Sequence, residues 1–148
     1  MKSYKEHLLS SKSFGENTSK TLQKPVYKTS AIFPVIESEA LHTKILFMGY
    51  WLLKRNIPQL GFLISLRSED GKLILRKNSS IDSAKAFEVS IKDLINELDY
   101  NIESFIGSIE LEIFSIVDLV FSYPALVIDY YNKMGAGLVH TTGRIYMI

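Results

Sequence analysis

Cysteine is absent, which excludes disulfide staples, thiolate nucleophiles and zinc–sulfur centres. Histidine is scarce. His7, His42 and His140 are too far apart to form an HxH or HExxH pair, so the sequence predicts no metal centre and no cofactor. Long apolar runs are missing as well. The opening MKSYKEHLLSSKSF has no apolar stretch of signal-peptide length, and no run of about 18 apolar residues follows. A cytoplasmic protein without a membrane partner is the expectation. An excess of either charge is also lacking: 17 basic and 16 acidic side chains leave a net charge of +1, giving no bulk attraction for nucleic acid.

Catalytic motifs are equally hard to find. Ser115 and Ser122 lack a GxSxG elbow, and no helical pattern follows Gly135-Ala136-Gly137 to build a phosphate loop. Glu110 and Glu112 project to one side of a strand, as paired carboxylates do around a sugar. The same spacing describes the wet face of a half-buried sheet, and that is the reading preferred. The chain is expected not to be an enzyme.

What the sequence does contain is strand pattern. From Ser104 to Tyr131 the chain reads SFIGSIELEIFSIVDLVFSYPALVIDYY, and everything else is organised around it. Ile109, Leu111 and Ile113 alternate with Ser108, Glu110 and Glu112, the period of a strand with one buried face. Ala125–Tyr131 is a second run rich in β-branched and aromatic residues, and the two read as core strands of one antiparallel sheet.

The remaining segments extend this pattern. Ala31–Glu37 is an edge-strand candidate because Pro34 cannot donate to a ladder. Thr43–Arg55 is apolar on both faces and reads as one long central strand, with Gly49 marking a bulge or a close backbone approach. Leu60–Arg67 and Lys72–Lys77 flank a turn at Ser68-Glu69-Asp70-Gly71, with Leu66 expected opposite Leu73 and Ile64 opposite Leu75. Ala84–Ser90 alternates, and Ser90 followed by Asp93 fits the start of a short helix ending at Leu98. Leu138–Ile148 is the last strand, reached through a six-residue loop.

These elements predict an all-β fold: an antiparallel β-sandwich of about eight strands with one short helix, occupying residues 31–148. Folding at this length buries roughly 70% of the unfolded surface, enough for a core. Residues 1–30 are expected to form a flexible arm. Up to residue 29 it holds six lysines against Glu6 and Glu16, and its apolar side chains are too sparse to offset the entropy of ordering. The alternation is still intact at Met147-Ile148, so either more polypeptide follows or the strand is covered by a neighbour.

Two functional readings result. The first is a non-catalytic interaction or assembly module, taking a protein partner or a second copy of itself through an edge strand. The second is a carbohydrate- or small-ligand-binding module using outward aromatics, Trp51 and Tyr131, and a polar strip on the last hairpin. If Tyr131 pairs with Leu138, then Asp129 lies opposite His140, Val127 opposite Thr142 and Ala125 opposite Arg144. Asp129 would then orient His140 while Arg144 grips an anionic or sugar ligand. The plain alternative is a solvated strip of favourable cross-strand pairs.

Overall fold

The computed structural model describes residues 26–57, 60–98, 101–119 and 125–141. Eight strands and two short helices follow in chain order: β1 (Tyr27–Glu37), β2 (His42–Met48), α1 (Tyr50–Arg55), β3 (Leu60–Ser68), β4 (Leu73–Ile81), β5 (Ala86–Ser90), α2 (Ile91–Asn96), β6 (Phe105–Ser115), β7 (Leu126–Asn132) and β8 (Gly135–His140). They form two antiparallel four-stranded sheets, ordered β1-β6-β3-β4 and β5-β2-β7-β8. The fold is an all-β sandwich. Among the described residues no helix is long and apolar enough to cross a membrane. Most of the segment read as an N-terminal arm lies outside the described residues, and β1 already begins at Tyr27.

Alternation decides which side chains close the core. Phe33 and Val35 of β1, Ile109, Leu111 and Ile113 of β6, and Phe62, Ile64 and Leu66 of β3 turn inward from the first sheet. Ile45 and Phe47 of β2 and Leu126 and Ile128 of β7 meet them from the second. Each such buried side chain contributes roughly 1.5–3 kcal/mol relative to exposure. Tyr130 bridges the layers, its hydroxyl donating to the Pro34 carbonyl at 2.6 Å. Burial pushes its pKa above the ordinary value of 10.0.

Four expectations need correction. The two runs of the 104–131 stretch do not share a sheet: β6 is central in the first and β7 in the second, each covering the other layer. The apolar run over residues 43–55 is not one strand, since β2 stops at Met48 and Tyr50–Arg55 is helical. Gly49 is the break. A Cβ there would sit 2.3 Å from the Ser83 carbonyl oxygen, so the chain turns where another backbone crosses it closely. The described residues therefore hold a second short helix.

The β3–β4 register also slips. Gly71 takes φ 82° in the turn, as its sequence position suggests, but an irregularity between Leu66 and Arg67 puts Leu66 opposite Leu75 and Ile64 opposite Lys77. By contrast, α2 starts where the sequence places it. The Ser90 hydroxyl accepts the Asp93 N–H at 3.3 Å.

Candidate interaction surface

The last hairpin is shorter than expected because Asn132 folds it. Its side-chain oxygen accepts the Met134 N–H at 2.8 Å and the Gly135 N–H at 3.2 Å. The chain reverses over Lys133-Met134 alone, and Asn132 pairs with Gly135. At the far end Thr141 closes the hairpin: its N–H donates to the Leu126 carbonyl and its hydroxyl accepts the Leu126 N–H, both at 3.0 Å.

That turn corrects the predicted register. Tyr131 faces Ala136, Asp129 faces Leu138 and Val127 faces His140. A shift of two residues keeps His140 on the same face as Asp129 but moves it two pairs along the strand, so Asp129 does not orient it. Thr142 and Arg144 lie outside the described residues. Trp51 is fully buried in α1, stacked on Tyr50 with ring centres 4.2 Å apart, and so is not an outward aromatic. The strand that would have presented it does not exist.

Asp129 instead finds its partner across β2. Lys44 and Asp129 are direct neighbours, with the Lys44 ammonium 3.8 Å from Asp129 Oδ2 and 3.6 Å from Glu88 Oε2. Among the described residues Asp129 Oδ1 is buried without a hydrogen-bond partner. The same ammonium lies 4.8 Å from the centre of the Tyr131 ring, a cation–π contact, and His42 lies against that ring at 5.4 Å. His42 Nδ1 in turn is 2.5 Å from Glu37 Oε1. Thus Tyr131 does face outward, but its ring is engaged by Lys44 and His42. Lys44, His42 and Glu37 were missed in the sequence. The alternation of His42 and Lys44 with Thr43 and Ile45 was the available signal.

Beside Tyr131 a shallow hollow of about 450 Å³ opens between the β1–β2 and β7–β8 turns, lined by Glu39, His42, Asn132, Lys133 and Met134. The paired glutamates of β6 are spoken for. Glu112 is bound by Lys28 at 2.8 Å and by Arg76 at 3.4 Å, and Glu110 faces Arg67 at 4.0 Å. The Lys28 hydrogen bond, opposed by burial and aided by the Lys28 and Arg76 charges, holds the Glu112 carboxyl below its ordinary pKa of 4.5. Among the described residues no three His, Asp or Glu side chains converge as a metal site would require.

The strand edges differ more than the faces do. β1 carries Lys28, Pro34 and Glu37, β4 carries Arg76 and Lys77, and β5 is five residues long. Each of these devices discourages pairing with another chain. β8 reads Gly135-Ala136-Gly137-Leu138-Val139-His140, with neither proline nor a lysine, arginine or carboxylate. All six residues are exposed, Leu138 to 66% and Val139 to 50%. Among the described residues β8 pairs with β7 alone, so its outer edge has no strand beside it. Compared with family models, curated proteins and solved structures, the chain matches none.

Proposed function

We propose that this chain is a non-catalytic β-sandwich assembly module that joins a second copy of itself along β8. The observation that carries this reading is the unguarded edge. An edge strand presents a row of N–H and C=O groups to any chain able to pair with it. β8 carries no lysine, arginine or carboxylate, so two copies can lie side by side without repulsion between such groups. Antiparallel pairing about a twofold axis would join the two β5-β2-β7-β8 sheets into one of eight strands. Leu138 and Val139 point to opposite faces, and each would gain a cross-strand neighbour. The net charge of +1 adds little long-range repulsion.

Light scattering on the intact chain over a concentration series tests this. A mass rising from monomer toward dimer is expected for the wild type, and Leu138→Lys and Val139→Lys should each return it to monomer. A wild-type chain that stays monomeric at millimolar concentration, or a dimer indifferent to both lysines, would overturn the proposal.

A second reading, a carbohydrate or small-ligand module, is favoured by the hollow beside Tyr131, where Asn132, Lys133 and His42 offer polar groups next to an aromatic ring. A glycan array with wild type and Tyr131→Ala addresses it. Signal that survives the substitution would remove Tyr131 from the site.

A further inference from the structure

Among the described residues the sandwich does not close at its β4–β5 end, and the reason lies in β4. The inward positions of β3 are Leu60, Phe62, Ile64 and Leu66, all buried. Their partners on β4 are Ile81, Ser79, Lys77 and Leu75. A strand facing a sandwich core is expected to keep apolar residues there. Ser79 and Lys77 break that rule, at the centre of the strand, where the mismatch leaves a cleft of about 240 Å³.

Aromatic rings form the cleft's inner lining. Phe47 packs on Phe62 at 5.0 Å and stacks on Phe87 at 5.1 Å with the two planes 10° apart. Phe87 belongs to the core face of β5 yet remains half-exposed through the opening. Lys85 reaches over its ring at 5.4 Å, so a cation already occupies a ring face there. Four charged side chains line the cleft. Lys77 and Glu97 are paired with each other, whereas Asp93 makes no ion pair among the described residues. Glu88 also borders the cleft, but its carboxylate turns to the other face of the sheet toward Lys44.

We infer that this cleft binds a small organic cation with an aromatic or branched apolar body, an arylalkylamine being the simplest member of the class. The three phenylalanines would take the apolar body and Asp93 the ammonium. The volume suits such a ligand, being larger than the cavity on the order of 150 Å³ that accepts benzene. This inference is independent of β8 and of the assembly reading.

The test is an amide NMR titration of the intact chain with phenethylamine, 2-phenylethanol and 3-phenylpropionate. The amine is expected to shift the amides of Ser79, Phe87, Val89 and Leu94, and to bind roughly tenfold more tightly than the alcohol, with the acid weakest. Asp93→Asn should remove that advantage while leaving alcohol binding unchanged. Ser79→Leu, which fills the cleft from the exposed strand β4, should abolish binding of all three. Lys85→Met, which removes the competing cation, should strengthen amine binding. The proposal is overturned by equal affinity for amine and alcohol, by preference for the acid, by absence of shifts at these amides, or by an Asp93→Asn protein that keeps the full amine preference. That last variant changes an exposed side chain, so it decides the question even if Ser79→Leu does not fold.

Discussion

Among the described residues β1 and β8 are both outermost strands, each paired with one neighbour, and they solve the edge problem in opposite ways. β1 is eleven residues long, interrupted by Pro34 and tied down by the Lys28–Glu112 bridge, and its inward Phe33 and Val35 are buried. β8 is six residues long, uncharged, and exposed on both faces. The first strand is finished by its own chain. Among the described residues the second has no strand beside its outer edge, and its Leu138 and Val139 stay exposed. Function in a sandwich without a catalytic motif is best sought where the fold departs from its own rules.

That contrast can be broken by substitution. The largest difference is expected between Phe33→Ala and Leu138→Ala in the monomer. Loss of the buried ring should cost about 3–5 kcal/mol, against less than about 0.5 kcal/mol at the exposed leucine, measured by urea unfolding at low protein concentration. Comparable losses would mean that β8 is part of the core.

A smaller effect separates two glycines. Gly107 pairs with Val35 of β1, and a Cβ there would fall 2.0 Å from the Arg67 carbonyl oxygen. Gly107→Ala should cost about 1–3 kcal/mol, because backbone must move. At Gly135, in β8, an added Cβ meets nothing within 4 Å, and Gly135→Ala should leave the unfolding midpoint nearly unchanged.

Smallest is the ionic tie on β1. Lys28 is largely exposed, so screening leaves the bridge only a small share of the stability. Since the folded pKa of Glu112 is depressed, its contribution is present above the ordinary value of 4.5 and lost as pH falls through the lower folded value. Glu112→Gln should therefore destabilise the protein at neutral pH and flatten its stability profile on acidification. An unchanged acid limb would show that the bridge does not hold β1.

How much of this was legible in the sequence depends on where tertiary contacts set the outcome. The alternation in β6, the turn at Gly71 and the cap at Ser90 are local signals, and each was read correctly. The helix at Tyr50–Arg55 was not. An apolar run suits either a strand or a buried helix, and only the close passage of Ser83 past Gly49 decides between them. The hairpin register failed for a more avoidable reason. Asn132 is a turn-forming residue that bonds to the backbone two and three positions on, yet it was counted as one of six loop residues. That miscount placed His140 beside Asp129. Lys44, the actual partner, comes from a strand more than eighty residues earlier, and no spacing rule reaches that far.

Hydrogen exchange of the backbone amides, followed from micromolar to millimolar protein, tests the central claim most directly. If β8 is completed by a second copy, its amides over Gly135–His140 should gain protection as concentration rises, while those of β1 stay constant. Protection in β8 that does not change with concentration, or that changes equally in β1, would contradict the account.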